Sequence, residues 1–333
     1  MRRREFIGLI GGAAAWPLAV RAQQSSKMKR IAMVSAATKI GDMKVSGYRI
    51  YRVFFEELSR LGYVEGQNLV VERYSAEGRS ERYADLARDV VSAHPDLVVT
   101  TSIPIALNLK MPTTTIPIVA ITADPVVAGL VPSLARPGGN ITGVSTDAGL
   151  ELYGKRLGLL AEAIPKMSNA RYLASQSTWA GPYAEAAREA ARRAGISLAG
   201  ALLGSPINEA EYQRVFNSME QDRVDALMVA EEPVHFTYRR LLVELAAKSR
   251  IPAIYPFREH VELGGLMSYS ADLSDIFRRA ARQTAEILKG ANPGEIPFYQ
   301  PTRFDLVINL KTAKELGLTI PEAFLLRADQ VIE

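Results

Sequence analysis

Cysteine is absent from the sequence, and histidine is scarce. None of the 333 residues is a cysteine, so disulfide bonds, a thiol nucleophile, cysteine-based metal sites and a lipid-attached cysteine are all excluded. The three histidines, His94, His235 and His260, are far apart in the sequence, and none has a second histidine at the spacing of metal ligands. The composition therefore predicts no metal site.

The motifs of common catalytic sites are also missing. The sequence contains no GxSxG, no P-loop and no HExxH. The loop after the first predicted strand, residues 36–41, lacks the glycines that let a backbone approach a pyrophosphate. We therefore expect no cofactor, and we predict a binding protein rather than an enzyme.

The beginning of the chain has the features of an export signal over residues 1–22. Arg2–Arg4 precede an apolar segment at residues 6–20, and small residues up to Ala22 mark a cleavage point. The Arg3-Arg4 pair is typical of the twin-arginine route. A membrane anchor is the alternative, but the apolar segment is short and contains glycine and proline. We expect a free periplasmic protein.

The charge of the chain is concentrated in that predicted signal. The formal net charge is +4, and most of it comes from Arg2–Arg4 and Arg21. The remainder is close to neutral, so we expect no nucleic-acid partner.

After the signal, strand-like and helix-like segments alternate. The strands are short apolar runs, as in parallel sheets covered on both faces, and the helices have apolar residues at three- and four-residue steps. Predicted strands cover residues 31–35, 69–74, 97–101, 116–121, 171–175, 197–203, 224–230, 266–269 and 304–310. Predicted helices cover residues 48–61, 81–93, 182–194, 209–220 and 273–289.

This alternation begins twice, which predicts an α/β fold of two Rossmann-like lobes with parallel sheets. Turn-forming clusters at residues 136–143, 264–265 and 291–303 predict a hinge of three crossings. We assign residues 28–142 plus 268–300 to the N-terminal lobe and residues 143–267 plus 301–333 to the C-terminal lobe.

The ends of the predicted strands carry small hydroxyl groups, amides, acids and aromatic rings. Ligands of open α/β sheets bind outside the carboxyl ends of the strands. Each residue alone fits a helix cap or a loop equally well, but together they predict the wall of a cleft. Ser102 precedes a possible short helix, and we expect its hydroxyl and the following N–H groups to hold a carboxylate.

Eight segments along the chain carry a more specific pattern. They are GYVEGQN (62–68), TTTIPIV (113–119), DPV (124–126), RPGGNITGV (136–144), IPAIY (251–255), RE (258–259), GGLMSY (264–269) and FDLVINLKTAK (304–314). With these segments the chain resembles the substrate-binding proteins of ABC transporters of the tryptophan/tyrosine type, which have the periplasmic-binding-protein type I fold. Two loops depart from the family pattern, at residues 101–104 and 176–179.

The resemblance implies a periplasmic monomer that captures a small organic solute, an amino acid or an aromatic carboxylate. It implies delivery of that solute to an ABC permease in the inner membrane. The alternative is a ligand-sensing periplasmic protein that docks on a chemoreceptor or a sensor kinase. We predict ligand contacts from the loop at Ser35 and Ala36, an anion site at Thr101 and Ser102, polar partners Asp124 and Glu231, a stacking Trp179, and a far wall of Tyr255 and Phe257.

Overall fold

The computed structural model describes residues 28–333, which fold around two β-sheets, and the predicted export signal lies outside the described residues. The strands are β1 (Lys29–Ser35), β2 (Leu69–Ser75), β3 (Leu97–Thr100), β4 (Ile118–Thr122), β5 (Ile141–Ser145), β6 (Asn169–Ser175), β7 (Ser197–Leu203), β8 (Ala226–Val229), β9 (Ala253–Tyr255), β10 (Met267–Ser270), β11 (Asp305–Asn309) and β12 (Gln330–Ile332). The helices are α1 (Arg49–Arg60), α2 (Tyr83–Ser92), α3 (Ile103–Lys110), α4 (Glu151–Ala163), α5 (Gln176–Trp179), α6 (Pro182–Ala194), α7 (Glu209–Gln221), α8 (Pro233–Thr237), α9 (Arg239–Lys248), α10 (Arg258–Val261), α11 (Leu273–Leu288), α12 (Leu310–Glu315) and α13 (Glu322–Leu325).

The first sheet has five parallel strands in the order β2-β1-β3-β4-β5. Every residue of β3, β4 and β5 is buried, because helices cover both faces of the sheet. Helices α1 and α11 pack together on one face, and α2 and α3 pack on the other. The second half of the chain thus supplies α11 to the core of the first lobe.

The second sheet has seven strands, and five of them repeat the topology of the first sheet. Its order is β12-β11-β10-β9-β8-β6-β7, so β7-β6-β8-β9-β10 corresponds to β2-β1-β3-β4-β5. The first long helices after β1 and β6, which are α1 and α6, both end near a glycine with positive φ, +95° at Gly62 and +66° at Gly195. The prediction of two similar α/β lobes is therefore confirmed.

One pair of strands departs from the predicted parallel arrangement. β11 runs antiparallel to β10, with Ser270 opposite Asp305. The chain leaves β10 at its carboxyl end, builds α11 in the first lobe and returns to the same end of the second sheet. A strand that starts there has to run in the opposite direction. β12 then pairs parallel with β11.

Three segments pass between the sheets: one after β5, one after β10, and one before β11. The last lies alongside β5, where the N–H of Tyr299 donates to the carbonyl oxygen of Gly143 at 3.0 Å and the N–H of Ser145 donates to Tyr299 at 2.7 Å. The expected lobe boundaries at residues 142/143 and 267/268 fall inside β5 and β10. Because each of these strands pairs within a single sheet, we propose boundaries just after them.

None of the helices within residues 28–333 has both the length and the apolar character that a bilayer span requires.

Candidate ligand-binding site

A cavity of about 1010 Å³ lies between the carboxyl ends of the two sheets. Both lobes contribute to its wall, which is mostly apolar. Its volume is at the upper end of the ~300–1,000 Å³ range typical of small-molecule sites. Eight aromatic side chains line it: Tyr51, Tyr83, Tyr153, Tyr172, Tyr183, Phe236, Phe257 and Phe277.

The loop after β1 forms part of the first-lobe wall. The hydroxyl oxygen of Ser35 accepts hydrogen bonds from the N–H groups of Ala37 at 3.3 Å and Thr38 at 3.0 Å. Ala36, Ala37 and Thr38 line the cavity, whereas Ser35 is buried behind them. Ser35 therefore positions the loop from behind the wall.

The end of β3 adds Thr101 and Ser102, which both line the cavity. Ser102 is the N-cap of α3, and its hydroxyl oxygen accepts a hydrogen bond from the N–H of Ile105 at 3.5 Å. The first turn of α3 thus begins at the cavity wall, and Ile103 and Pro104 also line it. The positive end of this helix dipole points toward the cleft.

Asp124 follows β4 and lies at the edge of the cleft, outside the residues that line the cavity. One of its carboxylate oxygens accepts hydrogen bonds from the N–H groups of Val126 at 2.9 Å and Val127 at 3.1 Å, which closes a turn. Its carbonyl oxygen accepts a hydrogen bond from the hydroxyl of Tyr183 at 3.3 Å. Because Tyr183 belongs to α6, this bond joins the two lobes.

Two predicted aromatic contacts of the second lobe pack behind the cavity wall. The ring of Trp179 lies 6.0 Å from that of Tyr172, and the guanidinium of Arg188 lies 4.4 Å from the Trp179 ring. Tyr255 is fully buried and stacks on His260, with ring centroids 5.0 Å apart. Neither Trp179 nor Tyr255 is among the lining residues.

Phe257 lines the cavity beside Phe236, and their rings meet edge to face at 6.1 Å. Both rings belong to the second lobe, yet they pack into the hydrophobic core formed by α1 and α11 of the first lobe. The apolar end of the cavity therefore lies where the two lobes share a core.

Glu231 lines the cavity after β8 and is held by an ion pair. Two guanidinium nitrogens of Arg156 each donate to its Oε2 at 3.1 Å, and the hydroxyl of Thr146 donates to its Oε1. Thr146 follows β5 in a segment that passes between the lobes. The Glu231 carboxylate is thus already bound by groups of the protein.

Asp147, also in that segment, is completely buried behind Glu231. Its carboxylate accepts hydrogen bonds from the N–H of Gly149 at 3.1 Å and from the hydroxyl of Tyr153 at 3.4 Å. Burial, and then the charge of Glu231, raise the pKa of Asp147 to about 7. A titrating carboxyl group therefore lies at the hinge.

Glu232, the neighbour of Glu231, also lines the cavity. One of its carboxylate oxygens accepts a hydrogen bond from the N–H of Ser175 at 2.8 Å. Burial raises the pKa of Glu232, and the hydrogen bond from Ser175 opposes that shift. Glu231 was the predicted polar partner, because a strand end alone does not reveal which of two adjacent acids has a cation beside it.

The lobes also touch beside the beginning of α1. The Tyr48 ring meets the Phe236 ring edge to face at 6.0 Å, and the guanidinium of Arg239 lies 4.2 Å from the Tyr48 ring. Arg49 lies 3.7 Å from the carboxylates of both Glu259 and Glu262. These contacts connect the beginning of α1 to α8, α9 and α10.

Of the nine predicted contact residues, five line the cavity together: Ala36, Thr101, Ser102, Glu231 and Phe257. Ser35, Asp124, Trp179 and Tyr255 lie behind the wall or at its edge. Sequence analysis did not include Tyr51 or Tyr153 among the site residues. Tyr51 lies on the apolar face of α1, and Tyr153 lies in a helix, α4, that was not predicted.

The side chains of the cavity wall offer groups that can bind a ligand. Within residues 28–333, no group of three or more histidine, aspartate and glutamate side chains could hold a metal ion. The buried histidines, His235 and His260, have their pKa lowered to about 3 by burial and remain neutral at physiological pH. The wall combines aromatic rings, hydroxyl groups and two carboxylates.

Two lobes of the same topology, joined by three segments around a cavity, define a solute-binding protein of the periplasmic-binding-protein type I fold. Residues 44–332 match the family described as ABC transporter substrate binding protein, and the chain belongs to that family. The predicted family is therefore confirmed, and so is the prediction of a binding protein rather than an enzyme.

Individual relatives agree with this assignment. The chain is 29% identical over 273 residues to the tyrosine-binding protein of Clostridioides difficile, covering 80% of this chain and 75% of that protein. A conserved domain protein of Vibrio cholerae is 27% identical with a TM-score of 0.79, over 92% of this chain and 100% of that chain. An ABC domain of Streptococcus pneumoniae in complex with L-Trp is 28% identical with a TM-score of 0.77, over 91% of this chain and 99% of that chain.

Proposed function

We propose that this protein is the periplasmic receptor of an ABC importer, and that it captures an aromatic amino acid and delivers it to a permease in the inner membrane. The observation that carries the proposal is the cavity between the lobes, with its eight aromatic side chains. The C. difficile relative is named for tyrosine, and the S. pneumoniae domain holds L-Trp. Both names support an aromatic ligand.

The aromatic ring of the ligand binds in the apolar end of the cavity. Tyr51, Phe257 and Phe277 come from three elements and surround that end. Edge-to-face and offset-stacked pairs of aromatic rings add ~0.5–1.5 kcal/mol each beyond the burial of apolar area. The carboxylate binds at Thr101 and Ser102, where the first turn of α3 offers a positive dipole and hydroxyl groups.

Residues behind the wall hold the contact residues in place. Ser35 shapes the loop of Ala36, Asp124 links the first lobe to Tyr183, and Trp179 and Tyr255 support the second-lobe wall. Their proposed role is to position the contacts rather than to touch the ligand.

Ligand binding acts on the equilibrium between open and closed lobes. A ligand that contacts both lobes stabilises the closed form by its difference in affinity for the two forms. The closed form then presents a matched surface to the permease. The receptor works as a periplasmic monomer, after export by the twin-arginine route, with no nucleic-acid partner.

A thermal-shift panel on the exported form of the chain tests the ligand class. L-tyrosine, L-tryptophan and L-phenylalanine should each raise the melting temperature, since a ligand at 100 times its Kd adds ~2.7 kcal/mol to the unfolding free energy. Glucose, ribose and myo-inositol are the comparison set. Stabilisation by sugars and by none of the aromatic amino acids would overturn the ligand class.

An uptake assay in the source bacterium tests the transport role. Deleting the gene should lower uptake of the radiolabelled amino acid, and the wild-type gene should restore it. Normal uptake together with a lost chemotactic or kinase response to the same amino acid would instead identify a sensory receptor.

A further inference from the structure

Two neighbouring carboxylates in the cavity wall differ in their partners. Glu231 is paired with Arg156, as described above. Within residues 28–333, no arginine or lysine lies within ion-pair distance of Glu232, whose side chain is 13% exposed. The nearest basic group is His235, whose Nε2 lies 3.9 Å from the Glu232 carboxylate. His235 is neutral at physiological pH because burial lowers its pKa to about 3.

A phenol without a partner lies in the same part of the cavity. Tyr172 lines the wall, is fully buried, and its hydroxyl has no hydrogen-bond partner among the described residues. Burial, and then the negative charge of Glu232, raise the pKa of the Tyr172 phenol. Ser175 and Thr178, which bond to each other through their hydroxyls, complete this polar compartment.

The balance of charge around the cavity is negative. Among the described residues that line it, Arg214 is the one arginine or lysine, and its guanidinium is bound to Glu211 at 2.6 and 2.8 Å. A buried carboxylate without a cation is costly to the folded protein, and carboxylates with perturbed pKa values cluster at functional sites. A cation supplied by the ligand would remove that cost.

We infer that Glu232 is the binding site for an ammonium group of the ligand, with the Tyr172 hydroxyl beside it as a further polar contact. This inference rests on the proposed capture of a solute in the cleft. It restricts the ligand class to solutes that carry an amine. An aromatic amino acid or aromatic amine fits the cavity, whereas an aromatic carboxylate without an amine leaves Glu232 without a cation beside it. Glu232 is thus the residue that determines specificity for the amine.

Matched pairs of ligands test the inference by calorimetric titration of the exported form of the chain. L-tyrosine is compared with 3-(4-hydroxyphenyl)propionate, and L-tryptophan with indole-3-propionate, so that each pair differs by the amine alone. In the wild type the amine should improve affinity by about 30-fold or more, as expected for a desolvated charge pair. Equal affinities within each pair would overturn the inference.

Variants assign the effect to Glu232. Glu232→Gln should weaken binding of the two amino acids by about 30-fold and leave the weak binding of the amine-free acids unchanged. Glu232→Asp keeps the charge and should retain a preference for the amine, and Tyr172→Phe should lower the amine preference less than Glu232→Gln does. Glu244→Gln, the same change at an exposed site on α9, should have no effect. A preference for the amine that survives Glu232→Gln would contradict the assignment.

The stability of the ligand-free variant separates binding from a structural role. Removing an uncompensated buried charge should leave the melting temperature of Glu232→Gln equal to or above that of the wild type. A lower melting temperature with unchanged amine preference would mean that Glu232 serves the fold and would overturn the inference.

Aliphatic cations distinguish this inference from the proposed function. If L-arginine or putrescine bound in a Glu232-dependent way and no aromatic amino acid bound, the ammonium site at Glu232 would be supported and the aromatic ligand class would be wrong. If only neutral sugars or anions bound the folded chain, both the ammonium site and the aromatic ligand class would be wrong.

Discussion

Arg156 and Glu231 form an ion pair that is almost completely buried, with side chains 1% and 6% exposed and two guanidinium nitrogens each 3.1 Å from Oε2. The guanidinium also donates to the carbonyl oxygens of Tyr269 at 2.9 Å and Pro256 at 3.2 Å. One side chain of α4 therefore ties together the ends of β8, β9 and β10. Because Arg156 already neutralises its charge, the Glu231 carboxylate lines the cavity but needs no cation from a ligand.

Removing the cation of this pair should destabilise the protein strongly. Arg156→Met leaves Glu231 buried with the Thr146 hydroxyl but without a cation, and we expect the unfolding free energy to fall by about 3–5 kcal/mol. Denaturant-induced unfolding measures the change. Adding Glu231→Gln to Arg156→Met should restore part of the lost unfolding free energy, because the double variant has no buried carboxylate without a cation. A loss below about 1 kcal/mol for Arg156→Met alone would contradict the role of the pair.

The contacts of Tyr48 with the second lobe should favour closure of the lobes. Tyr48→Ala removes an edge-to-face contact with Phe236 and a cation–π contact with Arg239, each worth ~0.5–1.5 kcal/mol. We expect a roughly tenfold weaker affinity for the ligand and a larger radius of gyration by small-angle X-ray scattering. Arg49→Ala removes a half-exposed ion pair and should have a smaller effect. Equal affinity in Tyr48→Ala and the wild type would exclude this role.

The buried carboxyl group of Asp147 should make stability depend on pH. Its pKa is raised to about 7 from an ordinary 3.8, so the folded chain holds a proton that the unfolded chain releases between those values. Its contribution to stability is therefore lost as the pH rises from about 4 to about 7. Asp147→Asn cannot ionise, so its unfolding free energy minus that of the wild type should grow across this range.

Denaturation at a series of pH values measures this difference. The histidines His235 and His260, with lowered pKa, act in the opposite direction, but they are present in both proteins and cancel. A difference that stays constant from pH 4.5 to 7.5 would mean that Asp147 is ionised throughout.

If Glu232 binds the amine, the affinity for the amine should decrease as the pH is lowered. Burial raises the pKa of Glu232, and a protonated carboxyl group cannot form an ion pair. We expect the affinity for L-tyrosine to decrease as the pH falls toward the raised pKa of Glu232. Among the groups that face Glu232, the phenols of Tyr83 and Tyr172 and the imidazole of His235 stay neutral around physiological pH.

Calorimetric titration at several pH values gives the affinities. In Glu232→Gln the pH dependence should be mostly removed. If the variant kept the slope of the wild type, the proton responsible would belong to another group, and Asp147, whose pKa is raised to about 7, is the candidate.

Much of the fold could be predicted from local patterns. Helix α6 and strand β7 have the predicted bounds, because Pro182 suits the first turn of a helix and Gly195 suits a left-handed helix end. The antiparallel pairing of β10 and β11 could not be predicted, since an apolar run does not encode the direction of a strand. That direction depends on the path of the chain through the first lobe.

The candidate site was only partly predictable for a similar reason. Strand ends locate loops, and five of the predicted residues line the cavity. The difference between Glu231 and Glu232 depends on Arg156, which lies in a helix distant in sequence. Tyr51 has the spacing of a core residue, and it nevertheless also lines the cavity.

The most direct test of the central claim is a crystal structure of the exported form of the chain grown with L-tyrosine. We predict the amino acid between the lobes, with its ring among Tyr51, Phe257 and Phe277 and its ammonium group within hydrogen-bond distance of Glu232. An amino acid bound elsewhere, or bound in the cleft with its ammonium group away from Glu232 and in contact with a single lobe, would contradict the account.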